Sequence, residues 1–469
     1  MIKIRLDNTI CAMATGRGGA IGVIRVSGAD SISICDKIFK PADKRLKFLE
    51  SKGYSLIYGE IIDNEEILDN VIVSVFRSPL SYTGEDSVEI SCHASPYIQQ
   101  RIIELLIENG ASAAMPGEFT QRAFLNGKLD LSRAEAVADL IASESYLAHK
   151  VAMNQMKGGF SNEIANIRKQ LLHFASMLEL ELDFGEEDVE FADRKELIIF
   201  IEDLLSASKK LTSSFRVGNV IKNGVPVAII GNPNTGKSTL LNRLVNEEMA
   251  IVSDIPGTTR DSIEDVVNLE GIQFRFIDTA GIRKTDDVIE NLGINKTIEK
   301  IGKAVIIILV ADIADGVDNI FNILGEIRER IKDSDKELIL ALNKVDKAND
   351  GDISNIKKLL SVGPGESMIF ISAKNGEGVD KLEESLVTSA SRFIGSTDNV
   401  IVTNARHYEA LINVNDSLKR VLQGLSDGLP EDLIAIDLRQ AIHYYGTITG
   451  EISSDEVLGN IFKNFCIGK

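Results

Sequence analysis

Long runs of apolar residues are missing from this sequence of 469 residues. No segment approaches the roughly 18–20 consecutive apolar residues that a membrane-spanning helix needs, so we expect no membrane association. The longest apolar run, Ala304–Ala311, is typical of a buried parallel strand. Residues 1–7 lack the apolar core and cleavage site of a signal peptide, and we expect a cytoplasmic protein.

Cysteine is scarce. The 4 cysteines are Cys11, Cys35, Cys92 and Cys466, and no two of them have the spacing of zinc ligands. We therefore expect neither a structural zinc site nor a disulfide framework.

Positive charge is outnumbered by negative charge, with 51 lysines and arginines against 70 aspartates and glutamates. The formal net charge is −19 at pH 7, which argues against a broad basic surface that coats nucleic acid. It leaves open a local basic patch, or a nucleic acid held mainly by a partner subunit.

Hydrophobic periodicity changes along the chain, whose length predicts two or three domains. Up to about residue 127, β-rich runs and one helix predict a mixed α/β region. The helix is predicted to begin at Ser95-Pro96 and to end at Gly110. From about residue 131 the period is helical, and Ser132-Arg-Ala-Glu135 predicts a capping box. The strand candidates of the first region are Ala20–Val26, Tyr54–Ile62, Val71–Phe76 and Val88–Cys92.

Residues 224 to about 388 alternate strands and helices, the pattern of a parallel α/β sheet. The strand candidates are Val225–Ile230, Phe274–Asp278, Ala304–Val310, Glu337–Asn343 and Met368–Ser372. After about residue 390 the helical period returns. We predict a multidomain protein with α/β and all-α regions: an N-terminal α+β domain (1–127), a discontinuous helical domain (128–223 and 389–469), and an inserted α/β domain (224–388).

A phosphate-binding loop is predicted at Gly231-Asn-Pro-Asn-Thr-Gly-Lys-Ser238. The segment follows an apolar strand and precedes a helix, which is the context the motif requires. Glycines let backbone amides wrap the phosphates, and the helix N-terminus adds its positive dipole end. Lys237 can bridge the terminal phosphates, and the Ser238 hydroxyl can bind magnesium.

Three further motifs follow at strand ends in the order of a Ras-like GTPase. Asp278-Thr-Ala-Gly281 can hold magnesium through water and contact the γ-phosphate. In Asn343-Lys-Val-Asp346, the Asp346 carboxylate can accept from N1–H and N2–H₂ of guanine, donors that adenine lacks. In Ser372-Ala-Lys374, the Ala373 amide can reach guanine O6. Together with the loop, these motifs predict an inserted Ras-like P-loop GTPase domain.

The segment Ser253-Asp-Ile-Pro-Gly-Thr-Thr-Arg-Asp261 lies between the first two motifs. A threonine here can complete the magnesium shell; Thr259 is our choice and Thr258 the alternative. The predicted GTP-binding residues are Asn234, Thr235, Gly236, Lys237, Ser238, Thr239, Ser253, Asp254, Ile255, Pro256, Gly257, Thr258, Thr259, Asp278, Thr279, Ala280, Gly281, Asn343, Lys344, Asp346, Ser372, Ala373 and Lys374.

Ile282 stands where the Ras-like pattern has a glutamine that orients the attacking water. Isoleucine has no donor or acceptor, so other groups must do this work. Asn234 and carbonyls of the 253–258 segment can bind a monovalent cation in place of an arginine finger. Glu290 can polarise the water, or is simply an exposed acid.

The flanking regions carry family-specific motifs. These are Ala14-Thr-Gly-Arg-Gly-Gly-Ala-Ile-Gly-Val-Ile-Arg25, Ser81-Tyr-Thr-Gly-Glu-Asp-Ser-Val-Glu-Ile-Ser-Cys-His93, Pro116-Gly-Glu-Phe-Thr-Gln-Arg-Ala-Phe-Leu-Asn-Gly-Lys-Leu-Asp130 and Phe465-Cys-Ile-Gly-Lys469. With the GTPase motifs, and in the same order over nearly the whole chain, they resemble the MnmE (TrmE) family of bacterial tRNA-modification GTPases.

The resemblance implies a potassium-activated GTPase that works as a homodimer. It also implies an FAD-dependent partner that joins the GTPase in a heterotetramer or larger complex. Together the two proteins add a carboxymethylaminomethyl or aminomethyl group to C5 of the wobble uridine (position 34) of certain tRNAs. The one-carbon unit is carried by a tetrahydrofolate derivative, 5-formyl or 5,10-methylene, and the N-terminal domain binds this folate and mediates dimerisation.

Site residues are implied by matching positions. Potassium is expected at Asn234, Ser253, Ile255 and Thr258, and magnesium at Ser238 and Thr259. Glu290 matches the catalytic acid. Arg25, Glu89, Lys128 and Lys469 match the folate-contacting positions. A carboxylate such as Glu89 can accept the paired N–H donors of a pterin, and the three cations can meet its oxygens.

Cys466 is expected on a mobile tail. It is either a nucleophile toward C6 of the uridine, a thiol that assists one-carbon transfer, or an incidental thiol. One departure from the family is His93-Ala-Ser95, where the family usually has His-Gly-Gly, and it puts a turn beside the folate pocket in doubt. The competing hypothesis is a regulatory or ribosome-assembly GTPase without one-carbon chemistry. Such proteins usually carry an RNA-binding module with a basic surface, whereas this chain is acidic and instead carries an expected folate domain and a tail that ends in a cysteine motif.

Overall fold

The computed structural model describes residues 8–16, 18–183, 194–249, 265–277, 299–332, 334–395, 400–453, 455–463 and 465–468. The chain divides into two units. The first contains Met1–Ala142, Ala152–Leu205 and Asn413–Lys469, and the second contains Ser143–Val151 and Ser206–Ile412.

The strands in chain order are β1 (Ile10–Met13), β2 (Ile21–Ser27), β3 (Phe39–Pro41), β4 (Ser55–Asp63), β5 (Glu66–Phe76), β6 (Ser87–His93), β7 (Ser112–Ala113), β8 (Val225–Ile230), β9 (Asp265–Leu269), β10 (Ile272–Phe276), β11 (Ile306–Asp312), β12 (Glu337–Asn343) and β13 (Glu366–Phe370). The four strands expected in the first region are confirmed as β2, β4, β5 and β6. The short strands β1, β3, β7 and β9 were not predicted.

The helices are α1 (Ser31–Ile38), α2 (Pro96–Glu108), α3 (Glu118–Leu125), α4 (Leu131–Ile141), α5 (Tyr146–Met156), α6 (Gly159–Asp183), α7 (Arg194–Asn223), α8 (Lys237–Met249), α9 (Val317–Ile331), α10 (Asp350–Leu359), α11 (Val379–Ile394), α12 (Ala405–Asp427), α13 (Glu431–Thr449) and α14 (Asp455–Phe462). This mixture confirms the predicted combination of α/β and helical regions.

In the first unit, seven strands of the described residues form one sheet in the order β3-β4-β5-β6-β2-β1-β7. The pairs are antiparallel except β1 with β7. Alternation along each strand buries one face: Ile24 and Val26 on β2 are fully buried, while Arg25 between them points to the other face. Helices α1 and α2 cover the buried face, which leaves the side of Arg25 for a site.

The helices of the first unit bury the predicted apolar stripes. On α6, Ile164, Leu171 and Phe174 are fully buried, and α6 packs against α13. The predicted capping box at Ser132 is wrong. Helix α4 is capped one residue before Leu131 by Asp130, whose carboxylate accepts from the amide of Arg133. A carboxylate at this position also interacts well with the helix dipole, and Ser132 lies buried within the first turn.

In the second unit the sheet order is β13-β12-β11-β8-β10-β9 among the described strands. All neighbours are parallel except β9 and β10. The five predicted strands are confirmed, and β11, from the longest apolar run, lies at the centre between β8 and β12. Because parallel strands end at the same edge, the loops after β8, β11, β12 and β13 come together.

Candidate functional sites

The loop after β8 has the backbone that a phosphate-binding loop requires. Every residue of β8 is buried, and the chain leaves it at Gly231 with φ +146°. A Cβ atom at Gly231 would lie 2.1 Å from the carbonyl oxygen of Val310, so only glycine fits here. Asn234 follows with φ +62° and Gly236 with φ +98°. These conformations turn the chain tightly into α8, and backbone of this kind can present its amides to an anion.

Lys237 closes this loop from the inside. Its amine donates to the carbonyl oxygens of Gly231 at 2.9 Å and Asn232 at 2.6 Å. Thr235 is buried and its hydroxyl donates to Asn232 O at 2.9 Å. Ser238 and Thr239 lie in the first turn of α8. A cation, a tightly turned backbone and a helix N-terminus meet here, which suits a phosphate chain with a magnesium ion held by hydroxyl oxygens.

Asn343 joins this loop to the last strand end. Its side-chain amide donates to Thr235 O at 2.7 Å, and its Oδ1 accepts from the amide of Ala373 at 2.9 Å. Asn343 is 3% exposed, so both bonds are shielded from water. The structure therefore brings together three of the predicted motifs, the 231–238 loop, Asn343–Asp346 and Ser372–Lys374.

Lys344 is held by a residue that the sequence reading missed. It adopts φ +67°, and its amine lies 2.5 Å from Oδ2 of Asp312, the last residue of β11. Partial burial opposes ionisation of Asp312, but hydrogen bonds from the Lys344 amine and the Ala314 amide prevail and lower its pKa. The sequence feature that could have indicated this role is the single carboxylate, Asp312, at the end of the apolar run of β11.

Asp346 is exposed beside Ser372, whose hydroxyl donates to Oδ1 of Asp346 at 2.7 Å. This hydrogen bond lowers the pKa of Asp346. An ionised carboxylate in a fixed position can accept two N–H donors from one edge of a base. Lys374 is exposed and follows Ser372 in the loop after β13.

Part of the predicted nucleotide site lies outside the described residues. These residues are Ser253, Asp254, Ile255, Pro256, Gly257, Thr258, Thr259, Asp278, Thr279, Ala280, Gly281 and Glu290. Lys469, one of the expected folate-contacting residues, also lies outside the described residues. Within the described ranges, no group of three or more His, Cys, Asp or Glu side chains could hold a metal ion. Nor is any helix there long and apolar enough to cross a membrane.

In the first unit, Arg25 and Glu89 face each other in register on β2 and β6. Nε and Nη2 of Arg25 lie 2.9 and 2.8 Å from Oε1 of Glu89. The guanidinium carbon lies 5.3 Å from the centre of the Tyr82 ring and 5.7 Å from that of Phe119. Lys128, a third predicted folate residue, donates from its amine to Pro79 O at 3.1 Å. These contacts form a cluster of polar groups and two aromatic rings, a candidate pocket whose chemistry suits a flat heterocycle that offers N–H donors.

The tail expected to be mobile is instead held on this pocket. Nη1 of Arg25 donates to Gly468 O at 3.3 Å, and the Gly117 amide donates to Cys466 O at 3.3 Å. Gly468 is buried with φ +93°, and a Cβ atom there would lie 1.9 Å from Met13 O. Sequence periodicity cannot detect this docking because it depends on contacts between residues far apart in the chain.

Cys466 is the only exposed cysteine of the four. Burial raises the pKa of Cys11 and of Cys92 to about 11 and raises that of Cys35 further. Since the thiolate is the nucleophile, these three thiols are inert while Cys466 is accessible.

His93-Ala-Ser95 makes an ordinary strand end. The His93 amide and Nδ1 contact Asp69 at 2.8 and 2.6 Å, and the Ala94 amide donates to Ala20 O at 3.0 Å. Ser95 has φ −67°, so this residue does not need the left-handed conformation that favours glycine.

A mostly parallel sheet whose first strand leads into such a loop and helix defines a P-loop nucleotide-binding domain, in a chain that also has an α+β region and long helices. Two family models match the chain: MnmE helical domain over residues 131–466 and GTP-binding protein TrmE N-terminus over residues 9–128. The chain belongs to the MnmE (TrmE) family of tRNA modification GTPases.

Relatives named tRNA modification GTPase MnmE match along their whole length. The protein of Bacteroides fragilis is 52% identical over 465 residues, covering 99% of this chain and 100% of the relative. That of Flavobacterium johnsoniae is 52% identical over 466 residues, covering 99% of each. Among solved structures, the G domain of the T. maritima FeoB iron transporter is 31% identical over 35% of this chain and 98% of that chain, with a TM-score of 0.25.

Proposed function

We propose that this protein hydrolyses GTP in the modification of tRNA. With an FAD-dependent partner it adds a carboxymethylaminomethyl or aminomethyl group to C5 of the uridine at position 34, using a one-carbon unit on tetrahydrofolate. The observation that carries the proposal is the contact of Arg25 with both Glu89 and the carbonyl oxygen of Gly468. It supports a role for Cys466 near the folate, because Cys466 comes two residues before Gly468 in the chain.

GTP binds across the strand ends of the second unit. The 234–239 segment holds the phosphates, Asp346 accepts the guanine N–H donors, and the Ala373 amide meets O6. Magnesium is held by the hydroxyls of Ser238 and Thr259. This assignment is supported by the Asn343 bridge, which fixes the loop and the base-binding segment relative to each other.

Potassium activates hydrolysis through Asn234, Ser253, Ile255 and Thr258, and Glu290 polarises the attacking water. Asn234 supports this assignment by its place in the loop, where φ of +62° turns the chain before Gly236. A cation beside the phosphates supplies the positive charge that an arginine finger gives elsewhere.

The folate pocket is formed by Arg25, Glu89, Lys128 and Lys469. Glu89 accepts the pterin donors, while the three cations bind carbonyl and carboxylate oxygens. Cys466 then acts near the one-carbon unit, as a nucleophile toward uridine C6 or as a thiol that assists transfer.

The protein works as a cytoplasmic homodimer that joins the FAD-dependent partner in a heterotetramer or larger complex. The homodimer is supported by an apolar face of the first sheet, where Leu56, Tyr58 and Ile72 are 75%, 59% and 47% exposed and Tyr58 pairs with Ile72 across β4 and β5. We assign residues 1–127 to the folate and dimer domain, 128–223 and 389–469 to the helical domain, and 224–388 to the GTPase domain.

Nucleoside analysis of tRNA from cells with and without this protein tests the reaction. Loss of the C5 substituent at position 34 is expected without it, and unchanged nucleosides would contradict the proposal. Calorimetry with 5-formyltetrahydrofolate separates it from a regulatory or ribosome-assembly GTPase, which has no reason to bind folate. For the cation, equal hydrolysis rates in sodium and potassium would remove the potassium assignment.

A further inference from the structure

We propose that Arg122 is a positioning residue for the folate pocket: it clamps the 77–86 loop, between β5 and β6, to helix α3 so that Tyr82 and Phe119 hold Arg25 in place. The proposal rests on the folate binding proposed above. It concerns a residue that does not itself face the ligand.

Arg122 is a fully buried cation shared by two carboxylates. Its Nη1 lies 3.1 and 3.2 Å from the two carboxylate oxygens of Glu85, which belongs to the loop. Its Nη2 lies 3.0 Å from Oε1 of Glu118, at the start of α3. The side chain of Arg122 has no exposed area. A buried ion pair adds little net stability compared with apolar side chains of the same volume. We therefore look for the role of Arg122 in the segments that it connects.

The loop end of the clamp extends to β2. Oε2 of Glu85 accepts from the Ser27 hydroxyl at 2.8 Å, and Ser27 lies 2.7 Å from the Thr83 hydroxyl. Ser27 is two residues from Arg25 on the same strand, so both side chains lie on one face of the sheet. The clamp thus fixes the loop directly against the strand that carries Arg25.

The helix end of the clamp extends to the tail. The second oxygen of Glu118 accepts from the Met115 amide at 2.8 Å, which fixes the start of α3. At that start, the Gly117 amide donates to Cys466 O at 3.3 Å. One guanidinium therefore sets the relative position of the loop, the helix and the tail's docking point.

The parts that the clamp joins are those that touch the candidate folate residues. Tyr82 comes from the loop and Phe119 from α3, and their rings lie 5.3 and 5.7 Å from the Arg25 guanidinium. The Tyr82 hydroxyl lies 2.8 Å from that of Thr120, so loop and helix also meet beside the rings. Lys128 donates to Pro79 O in the same loop at 3.1 Å. A displacement of the loop would misplace two of the four candidate folate residues, and errors near 1 Å are costly in a preorganised site.

The test compares full-length Arg122→Met with Arg101→Met by calorimetry with 5-formyltetrahydrofolate. Arg101 is a matched control because it also binds several carboxylates in the same unit, Asp63, Glu104 and Glu108. None of these partners belongs to the 77–86 loop. We expect Arg122→Met to weaken folate binding at least tenfold and Arg101→Met to leave it within twofold. GTP hydrolysis should be unchanged in both, and Arg122→Lys, which keeps the charge, should restore part of the affinity. Folded Arg122→Met with wild-type affinity would overturn the proposal.

Two further measurements cover other outcomes. If Arg122→Met does not fold, Glu85→Gln removes one charged partner while keeping an oxygen for Ser27, and wild-type folate affinity in that variant would also overturn the proposal. If the wild-type protein itself binds no folate, the proposed function fails, and the clamp is then judged by thiol labelling of Cys466, the only exposed cysteine. Arg122→Met should speed that labelling severalfold because the docking point at Gly117 shifts, and an unchanged rate counts against the clamp.

Discussion

The Lys344 amine lies 2.5 Å from Oδ2 of Asp312, at the ends of two neighbouring strands. In the sheet register, Asp312 on β11 is paired with Asn343 on β12, the residue before Lys344. The carboxylate thus holds the Lys344 side chain back along the strand ends, where its aliphatic stem can lie along the face of a bound base. A motif residue is positioned here by a neighbour that belongs to no motif.

Replacing Asp312 by asparagine should weaken GDP binding. The charge-assisted bond to Lys344 is lost, and because the pair is only partly buried we expect an effect of about 3–10-fold in Kd. Titration with a fluorescent GDP analogue measures it. Asp315→Asn, at an exposed position in the turn after β11, is the control and should bind as the wild type. Equal affinities in the two variants would show that Asp312 does not position Lys344.

Replacing Asp346 by asparagine should change the base that is preferred. Guanine loses the acceptor for its two N–H donors, and GDP should bind at least about 100-fold more weakly. Xanthine has an oxygen at C2 instead of the amino group, so the new amide can donate to it and XDP should bind more tightly than GDP. Competition between the two nucleotides checks this reversal, and an unchanged preference for GDP would remove Asp346 from the base site.

Replacing Gly236 by alanine should distort the backbone of the 231–238 loop. Gly236 has φ +98°, and a Cβ atom there would lie 2.2 Å from Nδ2 of Asn343, the atom that donates to Thr235 O. We expect nucleotide affinity to fall roughly 10–100-fold, from backbone strain and a displaced Asn343. Gly325→Ala is the matched control, since α9 offers open space at that position. It should retain nucleotide binding and raise stability by about 0.5–1 kcal/mol in thermal unfolding.

Local patterns predict the elements that depend on local burial. The parallel strands of the second unit follow from apolar runs, and Asn343 and Ser372 follow from their places at strand ends. The edge strand β9 was missed because Asp265-Val-Val-Asn-Leu269 is short and is interrupted by the polar residues Asp265 and Asn268, and among the described strands its neighbour is β10 alone. The error at Ser132 arose because two residues, Asp130 and Ser132, can both cap, and the choice depends on where the first turn begins.

Contacts between distant residues were not predictable in the same way. Arg25 and Gly468 are separated by 443 residues, and Arg122 and Glu85 by 37. Taken alone in the sequence, Arg25, Arg122 and Glu85 look like ordinary surface charges, and Gly468 looks like an ordinary glycine. Resemblance to the family indicates that Arg25 and Glu89 belong to one site, but only the register of β2 and β6 places them opposite each other.

Replacing Gly468 by alanine should release the C-terminal tail. The residue is buried with φ +93°, and a methyl group would lie 1.9 Å from Met13 O, so alanine cannot keep the docked conformation. Its carbonyl would then leave Arg25, which it contacts at 3.3 Å. We expect folate affinity to fall and labelling of the Cys466 thiol to accelerate, while GTP hydrolysis stays unchanged. Gly459→Ala in α14, where a Cβ atom meets nothing within 4 Å, is the matched control and should behave as wild type. If both variants bind 5-formyltetrahydrofolate equally well, the docked tail is not part of the folate pocket.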